Sequence, residues 1–171
     1  MVKSACTVIL ALFAATVALG ASKLNSGPAV SVGLGNLYGG DAGGGLEYQI
    51  LLAPRFRLTP FAAVGVVYYP TRQFPAIGYC GGGNLEYGRW HRAFAGLSFG
   101  TQYRDQDSLP VIRTRTMVGP ALCLGYKGMA PFGLFWQACG SLAYIINPVN
   151  NPNRKNTTVA PAISLGLGYK P

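Results

Sequence analysis

Acidic residues are scarce in this 171-residue chain: 5 Asp and Glu stand against 14 Lys and Arg, and charged residues make up 11% of the sequence against 50% hydrophobic. Soluble globular domains carry about a quarter charged residues, so an ordinary water-exposed surface is a poor fit. Histidine is nearly absent, with His91 alone, which leaves little material for a nucleophile and its base or for a zinc ligand set. Beyond the first twenty or so residues there is no apolar run of the roughly 20 residues that a membrane-spanning helix needs, which excludes a helical membrane protein. The formal net charge is +9, yet the basic residues are scattered singly instead of forming a stripe. Nucleic acid is therefore not expected as a partner, and an anionic lipid surface is the counterpart that the charge suggests.

The start of the chain has three zones: a basic residue at Lys3, an apolar run from Cys6 to Leu19, and the small residues Gly20, Ala21 and Ser22. That layout predicts a secretory signal peptide over residues 1–21, cleaved after Gly20 or Ala21. Cys6 follows Lys3, Ser4 and Ala5 rather than an apolar lipobox, so no lipid anchor is expected. Residues 22–171 amount to one domain, with no shift of composition that would mark a linker.

What the mature chain does have is alternation. Eight successive runs place apolar residues on one face and small or polar residues on the other, separated by clusters of Gly, Pro, Asn and Asp. Val30, Val32 and Leu34, continuing to Tyr38, oppose Ser31, Gly33 and Gly35; Leu46, Tyr48, Ile50 and Leu52 oppose Glu47, Gln49 and Ala53. The third run, Arg57 to Tyr69, is apolar on both faces. The fourth sets Ile77, Tyr79, Leu85 and Tyr87 against Gly78, Cys80, Gly82, Asn84 and Glu86. In the fifth, Ala93, Ala95, Leu97, Phe99 and Tyr103 face away from Arg92, Gly96, Ser98, Gly100 and Gln102, with Trp90 and Phe94 as apolar exceptions on the polar side. The sixth opposes Ile112, Val118, Leu122, Leu124 and Tyr126 to Arg113, Arg115, Gly119, Ala121, Cys123 and Gly125. The seventh and eighth repeat the pattern through Phe132 to Ile146 and Val159 to Tyr169, with Phe135 and Ile145 out of phase.

Alternation by itself also fits a soluble, lipocalin-like barrel with its apolar face inward. Three features turn the apolar face outward. The polar face is mostly Gly, Ala and Ser, which suits a narrow lumen. Tyrosines gather near run ends (Tyr38, Tyr68, Tyr87, Tyr103, Tyr126, Tyr144, Tyr169), where interfacial girdles sit. Connections alternate in length: Gly39–Gly44, Pro70–Pro75, Arg104–Pro110 and Pro148–Thr157 are long, while Pro54–Arg55, Gly88–Arg89 and Gly128–Met129 are tight. The fold expected is an all-β, eight-stranded antiparallel up-and-down transmembrane β-barrel, with short periplasmic turns and longer outside loops.

On these patterns the whole mature chain resembles the small eight-stranded bacterial outer-membrane barrels of the OmpA/OmpX type. The resemblance is one of pattern, with no shared motif. Such barrels usually finish on an aromatic residue read by the barrel assembly machinery, and here Tyr169 is followed by Lys170 and Pro171. The resemblance implies a bacterial outer-membrane location, that machinery as a partner during biogenesis, and a lumen filled by side chains with no large pore. It also admits lipid A deacylases and acyltransferases, which are barrels of this size.

Charges inside such a lumen must be paired. Counting back from a turn centred on Arg89 places Glu86 directly opposite Arg92, which predicts a cross-strand ion pair. Glu47, Arg113 and Arg115 are expected to form a second cluster toward the outer end; both clusters are read as structural. His91 falls on the outward face and Ser98 on the inward one, so no dyad, no catalytic residue and no enzyme is expected. The three cysteines of the mature chain, Cys80, Cys123 and Cys139, all point inward; Cys123 and Cys139 are expected about four residues out of step, roughly 13 Å, too far for a disulfide. No metal site or cofactor is expected. Gly81–Gly83 lacks the Lys-Ser/Thr of a phosphate cradle, and Asn156-Thr157-Thr158 is read as ordinary polar loop. The outer loops carry Arg72, Arg104, Arg154 and Lys155 against Asp41, Asp105 and Asp107, which points to contacts with lipopolysaccharide phosphates. The function expected is a porin-like but closed, non-enzymatic outer-membrane barrel with a structural or surface-interaction role through its loops. A lipid A-modifying barrel enzyme and a secreted lipocalin-like ligand-binding barrel are the alternatives.

Overall fold

A computed structural model describes residues 26–68, 76–106, 114–144 and 159–171, with the backbone alone for 102–106, 114–117 and 160. Eight strands follow one another in chain order: β1 (Gly27–Gly35), β2 (Gly40–Ala53), β3 (Phe56–Val67), β4 (Ala76–Gly88), β5 (His91–Gln106), β6 (Thr114–Met129), β7 (Leu134–Tyr144) and β8 (Val159–Tyr169). Each pairs antiparallel with the next, and β8 returns to β1, with Val30 opposite Tyr169 and Leu34 opposite Leu165, so the sheet closes into a barrel. Closure gives both outer strands a neighbour, where an open sheet would present two exposed edges.

The period of two places the apolar residues outside. Tyr48 is 50% exposed, Leu124 60% and Leu165 52%, so these side chains do not share a core. The reversed, soluble-barrel arrangement of faces is thereby ruled out. The unresolved third run is settled by burial: Arg57, Thr59, Ala63 and Val67 are buried, while Leu58, Val64 and Val66 are exposed. Phe94 and Phe135, the out-of-phase aromatics, are buried in the lumen.

Several boundaries differ from those read in the sequence. The first run does not continue to Tyr38. β1 ends at Gly35, residues Asn36–Tyr38 form a 3-10 turn, and β2 begins at Gly40, so Gly40–Gly44 are strand and not loop. Gly39, at φ 78°, makes the reversal, in a left-handed backbone region that glycine enters without steric cost. Tyr38 is buried, not part of a girdle, whereas Tyr68, Tyr87, Tyr126 and Tyr144 are exposed as expected. The β4–β5 turn is Arg89–Trp90 rather than Gly88–Arg89, and the β6–β7 connection is 130–133 rather than Gly128–Met129. β5 runs on to Gln106, so Arg104 and Asp105 lie in strand backbone. The connection spans 69–75, 107–113 and 145–158 lie outside the described residues.

Candidate functional site

Two features occupy the lumen. The first is a closed ring of polar side chains near the tight-turn end. Lys127 Nζ donates to Glu47 Oε1 at 2.8 Å, to Glu47 Oε2 at 3.0 Å and to Glu86 Oε1 at 2.8 Å. Arg92 Nη1 donates to Glu86 Oε2 and to Gln49 Oε1, both at 2.9 Å. Gln49 Nε2 donates to Glu47 Oε1 at 3.0 Å and completes the circuit. Strands β2, β4, β5 and β6 are thereby tied across the barrel, and all five side chains are buried.

Strand register explains the need for the bridging carboxylate. Arg92 lies directly opposite Lys127 in the β5–β6 ladder, and like charges in that position repel. Glu86 offsets this by accepting from both. Arg92 is fixed further by its Nε donating to the Arg89 carbonyl at 2.8 Å and by Nη2 lying 3.4 Å from Met129 Sδ. Lys127 Nζ sits 4.9 Å above the Phe135 ring. In a low-dielectric interior such added hydrogen bonds help the ion pairs to offset the cost of desolvating their charges.

The second feature is the inward 3-10 turn. Leu37 N–H donates to Ser164 Oγ at 3.1 Å, and Gln137 Nε2 donates to the Tyr38 hydroxyl at 2.6 Å. Tyr38, Leu37, Phe94 and Cys139 form one buried cluster. The space for the Tyr38 ring comes from the opposing wall, where a Cβ at Gly166 would fall on the Tyr38 hydroxyl and a Cβ at Gly33 on its ring. Among the described residues, the side-chain plug and the charged ring both lie within the lumen, which in an eight-stranded barrel is just wide enough for side chains to fill.

Glu86 and Arg92 are 2.9 Å apart, but not as directly opposed residues. With the turn at Arg89–Trp90, Arg92 is opposite Gly88 and Glu86 opposite Phe94, and the contact is a diagonal one. Glu47 does not lie toward the outer end, where the sequence placed it with Arg113 and Arg115. It bonds Lys127 near the tight turns, while Arg115 stands opposite Asp105 in the far half of the β5–β6 ladder. Arg113, Arg72, Arg154 and Lys155 lie outside the described residues, and Arg104 is described in backbone alone.

Lys127, Gln49 and Arg57 carry no weight in the sequence reading. Carrying the alternation of the sixth run two residues past Gly125 would have turned Lys127 inward. Arg57 Nη1 donates to the Gly88 carbonyl at 2.7 Å and stands directly opposite Glu86 in the β3–β4 ladder. Cys80, Cys123 and Cys139 are buried free thiols. Cys139 is opposite Gly125, so it is two residues out of step with Cys123, not four. Cys123 Sγ lies 3.6 Å from Ser98 Oγ. His91 is exposed beside Tyr126, at 6.0 Å between ring centroids, and Ser98 is buried on the opposite face. Among the described residues no group of His, Cys, Asp and Glu is arranged to hold a metal ion.

Fold and lumen together define a class: a closed antiparallel β-barrel of eight strands, with large apolar side chains exposed outside and polar and small side chains buried inside. No family model matches the chain, and no curated protein matches it. The chain is similar to the N-terminal β-barrel domain of Pseudomonas aeruginosa OprF, with a TM-score of 0.50 and 15% sequence identity, over 85% of this chain and 96% of that one. At that identity the likeness is one of fold: the small eight-stranded barrel that the alternating runs led us to expect.

Proposed function

We propose that this chain is exported by its residues 1–21, inserted by the barrel assembly machinery into the bacterial outer membrane, and acts there as a closed, non-enzymatic barrel. Its role is envelope integrity or surface contact through the long connections. The observation that carries the reading is the belt of exposed large hydrophobics on every strand (Val32, Tyr48, Val64, Tyr79, Leu97, Leu124, Leu142 and Leu165 among them) around a polar, filled lumen. In water such a belt would be far larger than the apolar patches that monomers tolerate. In lipid it is the surface that a barrel requires.

Extraction of the outer-membrane fraction, followed by electrophoresis with and without boiling, tests this. A heat-shifted band retained with the outer membrane is expected, and recovery in the soluble periplasmic fraction would overturn it. Arg72, Arg104, Arg154 and Lys155 are proposed to contact lipopolysaccharide phosphates. Replacing all four with Gln should weaken lipopolysaccharide binding by cells or by reconstituted protein, and unchanged binding would remove that part. The non-enzymatic reading is tested by the mass spectrum of lipid A from cells with and without the gene, where no change is expected.

A further inference from the structure

The tight-turn end carries exposed basic side chains, and among the described residues no acidic side chain is exposed beside them. Arg55 and Arg89 are exposed on the β2–β3 and β4–β5 turns. Those turns are tied together: Gly88 N–H donates to the Arg55 carbonyl at 2.8 Å, and Arg57 Nη1 reaches the Gly88 carbonyl at 2.7 Å. Among the described residues, the side-chain carboxylates nearest this end are Glu47 and Glu86, and both are buried in the lumen ring. Asp41 belongs to the other end, where it accepts from Tyr68 N–H at 2.6 Å.

Just inside the arginine pair, the outward face of the β3–β4 ladder changes character in steps. Phe56 and Tyr87 are directly opposite each other with ring centroids 4.9 Å apart, and Leu58 and Leu85 form the next outward pair. Beyond them come Pro60 opposite Gly83 and Ala62 opposite Gly81, where side chains all but vanish. A Cβ at Gly83 would meet nothing within 4 Å. Leu97 and Phe99, opposite Gly83 and Gly81 on β5 and both exposed, wall one side of the resulting trough. Cationic heads, an aromatic collar and an apolar trough follow in the order in which a phospholipid presents its phosphate, glycerol and acyl chain.

We infer that this face seats an anionic glycerophospholipid, its phosphate between Arg55 and Arg89 and one acyl chain along the β3–β4 trough. The inference rests on the membrane reading above and adds a specific lipid site at the tight-turn end. Charge complementarity selects the occupant: guanidinium groups pair with phosphate oxygens in bidentate fashion, and nothing acidic on that surface would favour a zwitterionic headgroup's amine.

The test is native mass spectrometry of the folded full-length mature protein released from mixed phosphatidylglycerol and phosphatidylcholine bilayers. The unaltered protein should retain phosphatidylglycerol with about thirtyfold preference, the scale set by two basic residues at an anionic surface. Arg55→Gln with Arg89→Gln should abolish the preference while keeping the heat-shifted band. Gly83→Leu, which fills the trough without touching the charges, should lower retention of both lipids. Arg72→Gln with Arg154→Gln should leave the preference intact. Loss of preference in that last pair instead of the first, or unchanged retention in Gly83→Leu, would overturn the inference. A folded barrel that holds the two lipids equally would overturn this site alone, whereas a chain that forms no lipid-embedded barrel would overturn the membrane reading and the site with it.

Discussion

Lys127 is the residue on which the lumen turns, because it pairs with both Glu47 and Glu86. Lys127→Met is expected to leave two buried carboxylates without the cation between them, Glu86 keeping Arg92 and Glu47 keeping only the neutral amide of Gln49. The loss should be about 3–5 kcal/mol, the cost of breaking a buried pair, read as a lower urea midpoint of the heat-shifted species. Adding Glu47→Gln to Lys127→Met should recover part of it, and a larger loss in the double variant would contradict the pairing. Lys170, just past β8, supplies a pH test. Burial pushes its amine down from 10.5 to about 8, with Arg92 and Arg57 pushing the same way and Glu47 and Glu86 opposing. Between those pH values the unfolded chain holds a proton that the folded chain has released, so this group makes stability rise with pH across that window. The rise should flatten in Lys170→Met, with the difference between the two proteins followed by denaturation midpoints from pH 8 to 10.5.

At the scale of elements, the turn Asn36–Tyr38 and strand β8 depend on each other. Gly166→Ala puts a methyl where the Tyr38 hydroxyl lies, and overpacking of this kind costs about 1–3 kcal/mol. Gly140→Ala, on the outward face of β7 with nothing within 4 Å, should be neutral or slightly stabilising, since glycine weakens a strand by about 0.5–1 kcal/mol. Equal effects in the two variants, measured by urea midpoints, would mean that the plug does not pack as described. The tight turns matter in the same way. A one-position shift of the turn after β4 makes Arg92 face Gly88 and reaches Glu86 only diagonally.

For the whole molecule the decisive quantity is the environment of the outward belt. Leu124→Arg places a charge on that belt, well away from either end of β6, and in a bilayer it should cost about 2–4 kcal/mol. In water the same change would cost little, so an unaltered midpoint after reconstitution would argue against lipid around the barrel. The plug and the charged ring lie one above the other in the lumen, and reconstituted protein is therefore expected to give no large conductance steps in planar bilayers. Large steady steps would show that the lumen opens.

Much of this was written locally. The parity of side chains along each run, the eight strands and the inward cysteines follow from a pleat whose faces alternate, so Glu86, Arg92, Ser98 and Cys139 could be turned inward, and Leu124 outward, without coordinates, whereas of the tight turns only Pro54–Arg55 was placed where it falls. The inward turn at Tyr38 was not legible, because an aromatic at a strand end reads as a girdle residue unless the glycines of β1 and β8 that make room for it are known to face it. Glu47 could not be joined to Lys127 either: they are 80 positions apart in the chain, and strands β2 and β6 are not neighbours in the sheet. Alternation is a property of consecutive peptide units and belongs to the sequence. The partners across the lumen are set by register and by closure of the barrel, which exist only once all the strands are paired.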